Sequence, residues 1–320
     1  VHVTDVEGEG KFCVDARRLT DLLKSMPDLG ITFEIDDNNL AIEIKYPGGT
    51  YNFIGINGNE YPRAAADGDD DEKIEFDCQG EQLITGIDNT LFAVGTDDLR
   101  PQMMGILWDI KPDSITFVAT DTRKMVKFSN ATSAPGVEGS CIVPLKPATV
   151  IKNVFGKDVQ LHVTITNKRA QIESEAFKFS CQLLKGMYPD YNRVIPANNP
   201  YMLTVDRQSF LAAIRRVGVF VDPSHGLVKF KITPDKIILK ATDSNFCTQA
   251  VEEAPCDFNH SEMVIGFSAP YLIEIFSTLS TPEVVVKLSD PSRPGVFLPS
   301  ENAGDCELLM LLMPMNVSDF

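Results

Sequence analysis

The segment Ile110-Lys-Pro-Asp-Ser-Ile-Thr-Phe-Val-Ala-Thr-Asp121 returns further along the chain as Ile232-Thr-Pro-Asp-Lys-Ile-Ile-Leu-Lys-Ala-Thr-Asp243, with seven identities in twelve positions at a constant offset of 122. A second pair of similar segments is Gly58-Asn-Glu-Tyr-Pro62 and Gly186-Met-Tyr-Pro189. Similarity at a fixed spacing is the signature of internal repeats. The sequence therefore predicts copies of one unit of roughly 120 to 130 residues.

Each unit is predicted to contain two halves, and each half is a helix followed by short strands. Apolar residues recur every three to four positions at Leu83, Ile87, Leu91 and Val94, and again at Phe210, Ile214 and Val217. This spacing is typical of helices with one buried face. Short β-rich runs separated by turn signals predict strands at 105–110, 114–119, 158–164, 177–184 and 227–232.

Counting halves from the C-terminus predicts three domains: 1–66, which holds only a second half, 73–200 and 201–320. We expect the chain to start inside its first domain, because a lone half would expose a sheet edge and one face of its core. The run Asp67-Gly-Asp-Asp-Asp-Glu72 is interpreted as a solvated acidic linker. A calcium loop would require a different order of ligands.

Composition limits the classes of function. The chain has 320 residues, of which 43% are hydrophobic, and its 45 acidic and 29 basic side chains give a net charge of −16. This average argues against coating of DNA by bulk attraction but leaves room for a local basic surface. The seven cysteines are scattered without a CxxC pair, which predicts reduced and mostly buried thiols. With no long apolar run, we expect a soluble, cytoplasmic protein without membrane contact.

Three motifs carry a family resemblance: Val118-Ala-Thr-Asp-Thr-Arg-Lys-Met125, Gly186-Met-Tyr-Pro-Asp-Tyr-Asn-Arg-Val-Ile-Pro196 and Leu311-Leu-Met-Pro-Met315. Together and in this order they resemble the sliding-clamp family, the beta subunits of bacterial DNA polymerase III. The resemblance implies an α+β DNA clamp fold, with repeated domains whose helices line the inside and whose antiparallel sheets face outside. It also implies a head-to-tail homodimer that closes into a ring around duplex DNA.

The resemblance further implies a processivity subunit with no catalytic residues, no metal and no cofactor. Its partners would be double-stranded DNA, bound without sequence specificity, the catalytic subunit of DNA polymerase III, the clamp loader and other proteins that carry a clamp-binding motif. Such a subunit encircles DNA and tethers these proteins to it.

A docking groove for partner peptides is implied between the second and third domains. By position it would comprise Met103, Thr120, Thr122, Arg123, Met125, Pro189, Arg193, Val194, Ser268, Tyr271, Leu311, Met313, Pro314 and Met315. Four are methionines, whose flexible thioethers suit a pocket with several partners. Without the family, the preferred interpretation of Leu311–Met315 is a final core strand. Arg123 stands where the family often has histidine and Asn316 where it often has a basic residue, which affects partner preference.

Basic residues on the helices are candidates to face DNA: Arg17, Arg18, Lys24, Lys146, Lys152, Arg207, Arg215 and Arg216. Weak contacts to phosphates, without reading of bases, suit a ring that slides. Any one of them is equally compatible with an ordinary solvated helix face. The acidic exceptions Glu81, Asp88 and Glu274 predict an uneven lining.

The ring interface is predicted to join Tyr51 and Phe53 of one chain to Val219 and Phe220 of the other. Aromatic side chains on an edge strand beside an apolar helix end would form a two-sided contact. Burial within its own domain is the alternative for Phe53.

Two other classes of function remain to be weighed. For an enzyme, the four histidines lack metal spacing and no nucleophile or phosphate-binding motif is present. Asp121 and Asp243 recur at equivalent points of two repeats, which favours capping of a turn over catalysis. The alternative is a β-rich repeat scaffold that does not bind DNA, which predicts neither basic helices nor a methionine-lined groove.

Overall fold

The computed structural model describes residues 4–61, 73–243, 245–317 and 320. The chain forms two compact units, Val1–Gly68 and Asp69–Phe320. The whole predicted linker 67–72 lies outside the described residues, as do residues 62–66, which include Pro62 of the Gly58 motif.

The first unit contains one helix and a three-stranded antiparallel sheet in the order β2-β3-β4. Its elements are β1 (Phe12–Cys13), α1 (Ala16–Ser25), β2 (Thr32–Asp36), β3 (Ala41–Tyr46), β4 (Gly49–Ile54) and β5 (Ile56–Asn57), followed by a 3-10 turn at Gly58–Glu60. Asp15 caps α1 by accepting a hydrogen bond from the Arg18 backbone at 2.8 Å. Ile42 and Ile44 of β3 are buried, whereas Phe33 and Ile35 of β2 are exposed.

The second unit contains the predicted repeat twice. The first copy of the repeat contains, in order, β6 (Ile74–Gln79), α2 (Gly80–Thr90), β7 (Gly105–Lys111), β8 (Ser114–Thr120), β9 (Lys124–Asn130), β10 (Gly139–Pro144), α3 (Leu145–Val154), β11 (Gln160–Ile165), β12 (Arg169–Glu173) and β13 (Lys178–Gln182). The second copy contains, in order, β14 (Tyr201–Asp206), α4 (Arg207–Gly218), β15 (Leu227–Ile232), β16 (Lys236–Asp243), β17 (Thr248–Pro255), β18 (Asp257–Phe258), β19 (Met263–Ser268), α5 (Ala269–Thr278), β20 (Glu283–Leu288), β21 (Gly295–Pro299) and β22 (Cys306–Leu312). The order of helices and strands agrees, and only β18 is additional.

Strand pairing repeats as well. The order β9-β8-β7-β10 in the first copy corresponds to β17-β16-β15-β19 in the second, and β13-β12-β11-β6 corresponds to β22-β21-β20-β14. Each copy therefore has two four-stranded antiparallel sheets, with its two helices in contact between them.

The helices bury the apolar stripes that predicted them. Leu83 and Ile87 of α2 are fully buried, and so are Phe210, Ile214 and Val217 of α4. The predicted helix at 81–94 is shorter in the structure, because Leu91–Ala93 continue as a 3-10 turn and Val94 is extended. A tightened last turn is a common way for an α-helix to end.

The cysteines agree only partly with the prediction of mostly buried thiols. Only Cys78, Cys141 and Cys181 are buried, and Cys247 is exposed. Cys247 lies in the turn after β16 with a φ of 52°. A turn residue with few neighbours stays exposed whatever its hydrophobicity.

Candidate functional site

A continuous sheet joins the two copies of the repeat. Strand β9 of the first copy pairs antiparallel with β22 of the second, from Lys124 opposite Leu312 to Asn130 opposite Cys306. The result is one nine-stranded sheet in the order β10-β7-β8-β9-β22-β21-β20-β14-β18. This pairing places Met125 directly opposite Leu311.

One face of this sheet carries a small apolar cluster apart from the main core. Side chains alternate between the faces of a strand, so Met125 and Leu311 point away from the buried helices, together with Val118 and Val296. The segment after β13 covers this cluster through Tyr188 and its neighbours. The main core on the opposite face contains Phe117, Ala119 and Met310.

A cavity of about 200 Å³ opens beside this cluster. Its lining residues come from both copies of the repeat and from the covering segment: Met103, Thr120, Thr122, Arg123, Lys124, Met125, Tyr188, Pro189, Asp190, Tyr191, Val194, Pro294, Leu311 and Met313. Methionine, leucine and valine give it apolar walls, and charged residues stand at its mouth. We call it the docking cavity.

Nine of the fourteen residues predicted for the docking groove line this cavity. The other five lie nearby in the fold but outside its lining. Arg193 pairs with Asp190 at 2.9 Å, Ser268 is buried at the end of β19, and Tyr271 lies in α5. Pro314 and Met315 follow β22, where the Met315 backbone donates to the Gly266 carbonyl at 2.8 Å.

Sequence reasoning missed five lining residues: Lys124, Tyr188, Asp190, Tyr191 and Pro294. Four of them stand inside the motifs that carry the resemblance, next to residues that were chosen. Pro294 lies in the loop before β21, far away in sequence, and no motif marks it. Its place in the cavity follows from the pairing of β21 with β22.

The covering segment is held by its tyrosines. The Tyr191 hydroxyl donates to Asp109 Oδ2 at 2.7 Å, and Lys127 Nζ lies 5.9 Å from the Tyr191 ring centroid. Burial, reinforced by Asp109, raises the pKa of Tyr191. The phenol therefore stays protonated and keeps donating at neutral pH, which holds the 3-10 turn Tyr191–Val194 over the sheet.

A tight turn between β8 and β9 carries the two cations of the lining, Arg123 and Lys124. Asp121 Oδ1 accepts the backbone N–H groups of Arg123 and Lys124, each at 2.8 Å. Thr122 adopts a φ of 78°, which is uncommon for a β-branched residue. Asp243 Oδ1 caps the equivalent turn in the second copy by accepting from Asn245 at 2.8 Å. Both aspartates thus cap turns, as predicted.

Lys124 is the most deeply buried cation of the site. Its side chain is 5% exposed, and its Nζ lies 2.5 Å from Glu274 Oε2 and 3.5 Å from Asp121 Oδ2. The ammonium also lies 4.3 Å from the Tyr271 ring centroid. Because Glu274 belongs to α5, this ion pair links the first copy of the repeat to the second.

The basic residues predicted to face DNA differ in their partners. Arg17 lies 3.8 Å from Asp21, Lys152 lies 2.5 Å from Asp88, and Arg216 pairs with Glu252. Arg207 donates to the carbonyl of Thr281 at 2.9 Å, and Arg215 donates to the Ser277 hydroxyl. Of the eight predicted residues, Arg18, Lys24 and Lys146 are exposed and form no ion pair or side-chain hydrogen bond with any described residue.

The four residues predicted for the ring interface lie in strand β4 and directly after helix α4. Tyr51 and Phe53 are half-buried in β4, an edge of the first unit's sheet, and Tyr51 stacks on Tyr46 with ring centroids 6.1 Å apart. Val219 and Phe220 follow α4 and are 78% and 39% exposed. Their apolar surface is available for a contact.

Comparison with known proteins gives the family. The DNA polymerase III beta subunit matches this chain twice, through its central domain at residues 77–190 and its C-terminal domain at residues 192–316. The chain belongs to the beta sliding clamp family. It is 26% identical to the beta sliding clamp of Synechococcus elongatus, over 98% of this chain and 83% of that protein. The Caulobacter vibrioides beta sliding clamp is also 26% identical, over 98% and 84%.

Solved clamp structures share the fold. A DNA polymerase sliding clamp from Pseudomonas aeruginosa superposes with a TM-score of 0.92 at 23% identity, over 99% of this chain and 85% of that one. A sliding clamp from Bartonella birtlesii, bound to griselimycin, has a TM-score of 0.91 at 25% identity, over 99% and 84%. These likenesses confirm the predicted clamp fold.

Family membership also decides between the classes of function. Beta sliding clamps are processivity subunits, so the prediction of a non-catalytic protein is confirmed by the relatives. The β-rich scaffold alternative is not favoured. In the described part of the chain no helix is long and apolar enough to cross a membrane.

Proposed function

We propose that this chain encircles duplex DNA in the cytoplasm and tethers the replicative polymerase and other DNA-processing proteins to it. The observation that carries the proposal is the β9–β22 seam, because it joins successive copies of one repeat edge to edge through backbone hydrogen bonds. Such joints can be added in series until a ring closes. A closed ring stays on DNA without strong contacts.

The repeat identifies which strand edges would close the ring. Strand β17 corresponds to β9, and its outer edge has no partner among the described strands. Strand β4 corresponds to β13 and β22 and is also an edge. By analogy with β9–β22, β4 of one chain would pair with β17 of a second chain, head to tail. Tyr51 and Phe53 on β4, with Val219 and Phe220 after α4, would supply the apolar part of this homodimer interface.

This arrangement rests on the predicted division into domains 1–66, 73–200 and 201–320. The division agrees with the repeated strand order in the second unit. The family matches meet at residues 190 and 192, a few residues before the proposed boundary.

DNA would be held weakly by the helices. Arg18, Lys24 and Lys146 are exposed and free of ion pairs with described residues, so they can reach phosphates at little cost. The predicted contacts by Arg17, Lys152 and Arg216 would need exchange of an existing carboxylate partner. Weak, exchangeable contacts suit sliding.

Partner proteins would dock in the docking cavity through a short hydrophobic motif. The cavity joins flexible methionine side chains to apolar strand residues, which suits related peptides of varied sequence. We expect the polymerase catalytic subunit, the clamp loader and other motif-bearing proteins to compete for it. The clamp from Bartonella birtlesii is solved with griselimycin bound, so a clamp of this family has a site for a ligand.

Retention on DNA tests encirclement. Chain loaded onto nicked circular DNA by a clamp loader should remain through gel filtration, and linearising the DNA should release it. A protein that binds the surface of DNA would be retained equally on both forms. Equal retention on circular and linear DNA, or no retention on the circular DNA, would refute the proposal.

Peptide binding tests the docking cavity. The peptide Gln-Leu-Ser-Leu-Phe should bind at micromolar strength, and Met313→Ala should weaken binding by ~1 to 2 kcal/mol, since a buried contact of this size is lost. Met202 is a similarly exposed methionine on β14, outside the cavity, and Met202→Ala is the matched control. Calorimetry in which both variants bind like the unaltered chain would refute the assignment.

A further inference from the structure

A second, larger cleft lies in the third domain, beside the docking cavity. It encloses about 690 Å³ between the segment before β14, the turn before β19 and the loop between β20 and β21. Its lining includes Tyr201, His260, Met263, Ser289 and Arg293. We call it the side cleft.

Aromatic rings form one wall of the side cleft. The His260 ring stacks on Tyr201 with centroids 4.0 Å apart and meets Phe258 edge-on at 6.0 Å. Stacking of this kind fixes the position of both rings. The wall therefore offers a firm apolar surface to an incoming chain.

The loop between β20 and β21 separates the side cleft from the docking cavity. Arg293 lines the side cleft, and the next residue, Pro294, lines the docking cavity. Consecutive Cα atoms are about 3.8 Å apart, so the two sites adjoin at this loop. The Asn199 amide holds this loop by donating to the carbonyls of Lys287 and Pro294, each at 3.0 Å.

The charged side chains that line the side cleft include Glu262, Asp290 and Arg293, and Arg293 is the cation that could bind a ligand. Glu262 pairs with Lys231 at 3.3 Å, and Asp290 Oδ1 accepts hydrogen bonds from the backbone and hydroxyl of Ser292. Arg293 is exposed and forms no ion pair within 4 Å and no side-chain hydrogen bond with any described residue. Its charge acts on nearby Asp290, whose pKa is lowered first by hydrogen bonds from Ser292 and then by Arg293. Ser289 also belongs to the lining, and its hydroxyl is buried without a hydrogen-bond partner among the described residues.

We propose that the side cleft receives the part of a partner protein that flanks its docked motif, and that Arg293 there binds an acidic side chain of this flank. The proposal rests on docking of the motif in the docking cavity. The two sites would then bind one continuous peptide. The docking cavity selects for apolar residues, and the side cleft selects for negative charge beside them. Binding of a carboxylate by arginine has the geometry for two parallel hydrogen bonds.

Extended peptides test this inference by calorimetry at low salt. The core peptide Gln-Leu-Ser-Leu-Phe is compared with versions that carry two Glu, two Gln or two Lys residues at either end. When the added residues are at the end that reaches the side cleft, the Glu version should bind about threefold to fivefold more tightly than the Gln version. This is the range expected for one exposed ion pair. Raising the salt concentration should reduce this preference.

Substitutions at Arg293 provide the decisive comparison. Arg293→Gln should abolish the preference for Glu, and Arg293→Glu should reverse it in favour of Lys, while the core peptide binds equally to all three proteins. Lys111→Gln removes an exposed positive charge from the end of β7 and is the control for net charge. It should leave the preference unchanged.

The outcomes separate the two proposals. If the core peptide does not bind, docking in the cavity fails and this inference fails with it. If the core peptide binds but Glu and Gln versions bind alike at both ends, only the side cleft is overturned. A preference for Glu that persists in Arg293→Gln would also overturn only the side cleft proposal.

Discussion

The ion pair between Lys124 and Glu274 makes an asymmetric prediction about stability. The Lys124 side chain is 5% exposed, whereas that of Glu274 is 42% exposed. Removing the carboxylate leaves a buried ammonium with one remaining counter-ion, Asp121, at 3.5 Å. Removing the ammonium leaves a carboxylate that can turn into water. We therefore expect Glu274→Gln to destabilise the chain more than Lys124→Met.

The magnitudes follow from burial. Breaking a fully buried ion pair by removing one partner costs ~3 to 5 kcal/mol. Solvent around Glu274 and the remaining Asp121 offset part of this cost, so we expect ~1 to 2 kcal/mol for Glu274→Gln. Methionine keeps an unbranched side chain near the rings of Phe92 and Tyr271, so Lys124→Met should cost less than ~1 kcal/mol.

Urea unfolding followed by fluorescence measures both variants. The single tryptophan, Trp108, is fully buried in β7 and reports on the first copy of the repeat. The pair Lys152 and Asp88 is the matched control, since its contact is also 2.5 Å but both side chains are more than a third exposed. Asp88→Asn should cost below ~0.5 kcal/mol. A loss for Lys124→Met equal to or above that for Glu274→Gln would refute the reasoning.

Three further predictions concern thiols, acid and assembly. Burial raises the pKa of Cys78 to about 12 and of Cys181 to about 11, so a thiol reagent at pH 8 should modify exposed Cys247 first and reach the buried thiols only on unfolding, as mass spectrometry of peptides would report. Hydrogen bonds from Ser209 lower the pKa of Asp206, the N-cap of α4. The ionised carboxylate therefore stabilises the fold above its pKa in the unfolded chain, about 3.9, and this stabilisation is lost as pH falls through the lowered pKa of the folded chain. The ~1 kcal/mol loss of stability in Asp206→Ala at pH 7 should accordingly shrink in acid. Phe220→Asp should reduce dimer formation in sedimentation, and an unchanged dimer would contradict the ring interface.

The repeat was predictable because it depends on local patterns. Identical turns, such as Pro112-Asp113 and Pro234-Asp235, locate equivalent hairpins 122 residues apart, and apolar periodicity locates the helices between sheets. Predicted strand 227–232 agrees with β15. Predicted strand 177–184 exceeds β13 at both ends, since Phe177 and Leu183 have strand-forming side chains but lie outside the ladder.

The docking cavity was predictable only where its residues stand in continuous motifs. Met125 and Leu311 lie almost 190 residues apart and meet because two sheet edges pair. No local pattern encodes which edge pairs with which, because every edge strand offers the same backbone groups. Pro294 was missed for this reason.

Charge on the helices shows why counting residues is not enough to describe a DNA-facing surface. Glu274 and Asp88 stand out in the sequence as acidic exceptions that would weaken a basic lining. In the structure each is the counter-ion of a lysine, Lys124 and Lys152 respectively, so each acidic charge is already neutralised. The same pairing removes Lys152 from the set of free cations. The surface proposed to face DNA would therefore be less acidic and also less basic than the sequence indicates, a balance that suits a ring that holds DNA and still moves along it.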